Sequence, residues 1–265
     1  MRVDPASARI VSSATIARPY AFAVGVGGVY AIDFWRDTVR RLDPETLRVT
    51  SVLKLTLPFR FTVRDNAFLP LAVAPGPRAV WIATERCALA RADSSARRVV
   101  ATVRMPCDAT GGIAADARGA WVSESLLGVY RIDPGTNRVV ARIQVGRGVL
   151  RLDVEHILPV RDGVLVSGPW ASGSSLTGEN GLARIDPARN RARAVATLPR
   201  GPLAVTLGGG SVWAGRIGGS SLQAVDPSTG AVAHVRAHVG VALAVARGGV
   251  WTVTRDGILR RLADA

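Results

Sequence analysis

The stretch GAWVSESLLGVYRIDPGTNRVVARIQVG, residues 119–146, reads as three successive strands, AWVSES, VYRID and RVVARIQV. Each is short, rich in Val, Ile and aromatic residues, and bounded by Gly, Pro, Asn or Asp. Asp133-Pro134 opens the turn between the second and third. Asp accepts backbone hydrogen bonds at the first turn position, and Pro presets φ at the next. Trp121, just after the Gly turn, anchors the first strand.

The same pattern recurs along all 265 residues. Its anchors are Tyr30, Trp81, Trp121, Leu165, Trp213 and Trp251, spaced 51, 40, 44, 48 and 38 residues apart. That period suits one four-stranded blade. RLDPET, RADSSA, RIDPGT, RIDPAR and AVDPST follow the first five anchors, and RLADA the last. Upstream of the anchors lie strands of small apolar residues, which fit the crowded inner position of a blade. The spacing predicts an all-β chain: a six-bladed β-propeller of four-stranded antiparallel blades, with residues 1–265 as a single domain. The last repeat stops after its third strand, whereas the N-terminus opens on a turn and a lone strand over residues 8–16. The N-terminal strand is therefore expected to pair into the C-terminal blade and close the ring, removing two aggregation-prone edges. Seven blades is the alternative.

The run GGIAADARGAWVSES with GVYRIDPGTNRVVARIQVG resembles the YVTN-type propeller repeats, of the superfamily that also holds the streptogramin lyases. The resemblance covers essentially the whole chain and implies the propeller fold. For function it implies a range: binding modules, sensor ectodomains, regulator-linked propellers and a few lyases that use a histidine, carboxylates and a divalent ion. No lyase histidine motif aligns with this sequence, so no lyase residue is carried over.

The chain has 34 basic and 20 acidic residues, a formal charge of +14. Lys54 is the only lysine. The arginines are dispersed and recur beside the turn, at Arg40, Arg41, Arg91, Arg131, Arg184 and Arg260, or just after it, at Arg48, Arg97, Arg138 and Arg191. Recurrence at repeat positions marks a solvated outer surface and disfavours nucleic acid, which needs clustered cations. No apolar run approaches the ~18 residues of a membrane span. Met1-Arg2-Val3-Asp4-Pro5 is already a copy of the repeat and not a secretory signal. The expected location is the cytoplasm, or outside it if the chain is a processed or excised part of a longer one.

Irregular connections are where a propeller carries function. Residues 58–70 bring Arg60 and Arg64. Residues 146–158 bring Arg151, Asp153, Glu155 and His156, and residues 168–181 form a long Gly/Ser-rich loop holding Trp170. Trp35, Arg36 and Glu85 join them from shorter loops on the same expected face. The binding set is thus Trp35, Arg36, Arg60, Arg64, Glu85, Arg151, His156 and Trp170, a mix of aromatics and Arg suited to an interface. His156 is the candidate general base and Asp153 and Glu155 the candidate metal ligands, each set against an ordinary surface role. Trp170 either presents a contact or folds back over blade 4. Glu124 is expected as a solvated loop carboxylate. Cys87 and Cys107 should lie near each other on that face, as a disulfide or two free thiols.

These residues support a non-catalytic, monomeric binding module for a protein or a small anionic ligand, without a cofactor. The enzyme alternative is a divalent-metal-dependent lyase or hydrolase at the channel mouth. A third reading is the sensor or scaffold end of a larger regulator.

Overall fold

The computed structural model describes residues 2–4, 9–12, 19–25, 27–33, 36–55, 70–84, 88–105, 112–124, 128–201, 203–246, 249–253 and 259–264. Their regular elements are strands, assembled into antiparallel sheets that follow the repeat. Blade 1 is Pro19–Gly25, Gly28–Asp33, Thr38–Leu42 and Val49–Lys54, and blade 2 is Pro70–Pro75, Ala79–Thr84, Ala88–Asp93 and Val99–Arg104. Blade 3 is Ile113–Asp116, Gly119–Glu124, Gly128–Asp133 and Arg138–Ile143. Blade 4 is built on His156–Val160, Gly163–Ser172, Ser175–Asp186 and Arg191–Leu198. Blade 5 is Leu203–Gly208, Ser211–Arg216, Ser221–Val225 and Val232–Arg236, and blade 6 is Ala242–Ala246, Gly249–Val253 and Leu259–Asp264. The chain is a six-bladed β-propeller.

Blades 1 to 3 with the N-terminal strands form one compact unit and blades 4 to 6 another. Within each, a blade's anchor packs on the following blade. Tyr30 and Ile32 meet Val80, Ile82 and Ala90, and Trp81 meets Ala120, Val122 and Ile132. Leu165 meets Leu203 and Val212, and Trp213 meets Val239 and Val250. Second strands are consequently buried on both faces, as in AVWIAT, while fourth strands such as RVVARI are exposed along most of their length. First strands of neighbouring blades lie side by side. A methyl added at Gly25 would sit 2.4 Å from the Pro75 ring, and one at Gly208 2.4 Å from Val245. Small residues upstream of the anchors are thus a packing requirement.

The Asp turns share one geometry. Asp133 Oδ1 accepts from Gly135 N, Thr136 N and Thr136 Oγ1, and Asn137 follows at φ 55°. Asp43 and Asp226 repeat this with Thr46 and Ser228, ending on Leu47 at φ 56° and Gly230 at φ 79°. The turns of blades 2 and 3 also receive a donor from the blade before them. Ser51 Oγ donates to Ser95 O at 2.8 Å, and Arg91 Nη1 donates to Pro134 O at 2.7 Å and Asn137 Oδ1 at 2.8 Å.

The N-terminal strand Arg9–Ser12 pairs with Arg2–Asp4, Asp4 opposite Arg9, and the last sheet comprises three strands among the described residues. The rest of the N-terminal strand expected to close the ring, residues 8 and 13–16, lies outside the described residues. One expectation needs correction: residues 146–158 and 168–181 are largely sheet rather than loop. Gly146–Arg147 and Leu150–Leu152 extend blade 4, with Leu152 opposite Trp170 on a hairpin that turns at Gly173-Ser174. The extra strand gives the prolonged hairpin a third partner, so its backbone groups are paired where a free loop would have needed water.

Candidate binding site

Among the described residues, the buried interior of the blades is apolar except at one end. Among the described residues, the fully buried polar side chains are Asp33, Thr38, Thr84, Ser123, Glu124, Ser167, Asn180 and Thr252. All lie where a second strand runs toward its third, the end opposite the Asp turns. Burial of such groups requires partners, and most have them. Thr84 Oγ1 donates to Ala88 O at 2.9 Å, and Thr252 Oγ1 donates to Ala242 O at 2.8 Å.

In the first unit, Asp33 Oδ2 stands 3.7 Å from Arg36 Nη1 and 3.9 Å from Arg40 Nη2. Asp37 is raised by burial against the opposing pull of Lys54. Glu124, expected in solvent, is buried, with Oε2 3.5 Å from Arg142 Nε. Burial, then a hydrogen bond with Glu124, pushes the Tyr130 hydroxyl up to about 12. Glu124 misled the sequence reading because its strand stays in the blade interior to its last residue.

In the second unit, the end of blade 4 opens into a pocket of about 350 Å³ lined by Glu155, Pro169, Leu176, Gly178, Asn180, Gly201 and Leu203. The register explains it. Pro169 lies opposite Asn180 and Ser167 opposite Leu182 and His156, so these alternate residues share the face turned to blade 5. Asn180 Nδ2 donates to Gly201 O at 2.9 Å and to Pro199 O, tying the hairpin to the start of blade 5. Glu179 adds an ion pair with Arg200 at 2.9 Å. Glu155 has no ion pair among the described residues, and burial followed by the neighbouring Asp153 raises its carboxyl. His156 Nδ1 and Ser167 Oγ are buried without hydrogen-bond partners. Burial lowers His156, so its neutral form is favoured.

The structure brings together only part of the expected set. Glu155 lines the pocket and His156 lies in the adjoining first strand. Arg151 is on the short strand Leu150–Leu152, its Nη1 3.4 Å from Gly148 O, and Arg36 sits on blade 1 beside Asp33. Trp170 is corrected: it is 4% exposed and packs flat on Gly181, where a methyl would fall 2.4 Å from the indole. It fills the opposite face of blade 4 and presents no contact. Trp35, Arg60, Arg64, Glu85, Cys87 and Cys107 lie outside the described residues. Among the described residues no group of three or more His, Cys, Asp and Glu is placed to hold a metal. Ser167 and Leu176 were missed, since only the register puts them beside the pocket.

No protein-family model matches the chain, and no curated protein matches it. Among solved structures, BamB from Moraxella catarrhalis is similar, with a TM-score of 0.58 and 14% identity over 97% of this chain and 76% of that one. At this identity the likeness concerns the β-propeller fold alone. Altogether 870 chains of solved structures match, so the architecture is widely shared and names no activity.

Proposed function

We propose that this propeller is a non-catalytic binding module whose recognition surface is the end of blade 4 and the adjoining start of blade 5. The observation that supports this is the prolonged blade-4 hairpin, exposed from Ser172 to Glu179, standing over a pocket that holds the unpaired Glu155. Among the described residues, the other blades use second and third strands of about half that length. The YVTN-type character of the repeat, and a protein or small-ligand partner, belong to this reading. An open pocket beneath a rigid, hydrogen-bonded arm suits recognition of a projecting group on a partner.

A photo-crosslinking side chain at Leu176, compared with one at Ala188 in the Asp turn at the other end of blade 4, tests the surface. The expected result is a discrete adduct from position 176 that unlabelled protein competes away and Glu155→Lys abolishes. Equal labelling from both positions, or labelling that Glu155→Lys leaves intact, overturns it. The metal-dependent lyase alternative draws no support from His156, whose shift comes from burial alone. A stoichiometric divalent ion in the purified protein, or a Tm lowered by chelator, would restore it.

A further inference from the structure

In three blades the anchor faces an arginine across the sheet, while in blade 5 Trp213 faces Ala224. Tyr30 faces Arg41, Trp81 faces Arg91 and Trp251 faces Arg261. The guanidinium of Arg91 lies 5.5 Å from the Trp81 ring centre, and that of Arg131 5.6 Å from the Trp121 ring. Such stacking holds the cation flat on the blade. From there Arg91 reaches the Asp turn of the next blade, at Pro134 O and Asn137 Oδ1.

Blade 4 keeps the arginine and lacks the ring, because Arg184 faces Leu165. Without a ring to stack on, Arg184 turns to Asp162, with Nη2 2.7 Å from Oδ1. That hydrogen bond holds the Asp162 carboxyl below its ordinary value. Beside it on blade 4 is an open pocket of about 430 Å³, lined by Asp162, Arg184, Asp186, Arg191, Ala192 and Arg193. Arg193 lies directly opposite Arg184, and Arg191 opposite Asp186. Like charges directly opposite on one sheet face repel. Both carboxylates are already engaged: Asp162 by Arg184, and Asp186 by Arg189 at 2.7 Å and by the amides of Ala188 and Arg189. Arg193 reaches only Ser228 O, at 3.5 Å, and neither Arg191 nor Arg193 has an ion pair among the described residues.

The geometry points to a phosphate-binding site in this pocket, with Arg191 and Arg193 as the clamp and Arg184 as the inner wall. A phosphate offers oxygens to two guanidinium forks at once and neutralises the opposed Arg184–Arg193 pair, whereas a single carboxylate occupies one fork. The open volume beyond the clamp accommodates the alcohol portion of a phosphate ester. This site lies on the Asp-turn end of blade 4 and is independent of the pocket at Glu155.

Titration calorimetry with inorganic phosphate and with glycerol phosphate, at ionic strength held constant with chloride, tests it on the full chain. Saturable binding of either probe is expected, weakened roughly tenfold or more in the Arg191→Ala/Arg193→Ala double variant. Both positions are exposed, so the variant should keep its Tm, and Glu155→Lys should leave phosphate binding unchanged. Asp162→Asn, which removes a competing carboxylate, should tighten binding several-fold. Binding of inorganic phosphate alone identifies the free ion, and binding of both identifies the phosphate group of an ester. No saturable heat from either probe, or equal affinity in the double variant, overturns the proposal.

Discussion

At the residue scale, conformational demands are sharpest where the repeat turns. Gly119 has φ 133°, and a Cβ there would fall 1.9 Å from Ile132 O. Gly119→Ala should therefore cost roughly 3 kcal/mol or more through backbone strain and displacement of the neighbouring strand. Differential scanning calorimetry should record a Tm lowered by roughly 5–10 °C. His156 makes a second case. Its half-buried imidazole has a pKa lowered by burial, and Nδ1 lacks a partner. A depressed histidine is neutral in the fold while its unfolded counterpart protonates near pH ~6.5. Its contribution is thus fully present above that pH and is lost as pH falls below it. His156→Leu should flatten the stability profile between pH about 5 and 7 and leave Tm at pH 8 unchanged or higher, since no hydrogen bond is lost. A steeper profile in the variant would contradict this.

At the element scale, the Asp turn and the anchor strand were readable because each depends on neighbours a few residues apart. Asp226 is held down to about 2, first by the Ser228 hydroxyl and then by the backbone amides of Ser228 and Thr229. The Thr46 and Thr136 amides, then their hydroxyls, lower Asp43 and Asp133 in the same way. Carboxylates depressed by folding contribute stability above their unfolded value of ~3.9 and lose it as pH falls through the folded one. Chemical denaturation should show stability falling between pH about 4 and 2, and less steeply in Asp226→Asn. Equal slopes would mean the turns do not couple to folding. The extension of blade 4 was not readable. Gly, Ser and Thr in WASGSSLTGEN signal a loop by composition, and only Leu150–Leu152 alongside makes it a strand. The same pairing carries Trp170 inward.

At the scale of the whole molecule, the charge of +14 is distributed by the repeat. Arg41 caps Gly27 O, Arg91 bridges blades, and Arg118, Arg142, Arg184, Arg189 and Arg200 face carboxylates. Many of the cations that suggested an anionic partner are thus structural. Duplex DNA should bind weakly, without sequence preference, and fluorescence anisotropy should lose the signal near ~150 mM salt as counterion release weakens contact. Affinity that survives such salt would mark a clustered cationic surface.

The amino-acid sequence by itself determined the blade count, the strand order within each blade and the turn chemistry. These follow from period, alternation and Asx turns, which act over a few residues and are written in the chain. Only the tertiary structure decided which polar groups are buried, as at Glu124 and Asn180, that Trp170 packs inward, and that the N-terminal strands pair with each other. Those outcomes depend on which residue stands opposite across a ladder or a blade interface, and register between distant segments has no local signature. The Leu at position 165 was visible from the start. Its consequence, an arginine turned to Asp162 and a pocket beside it, required the register of the blade.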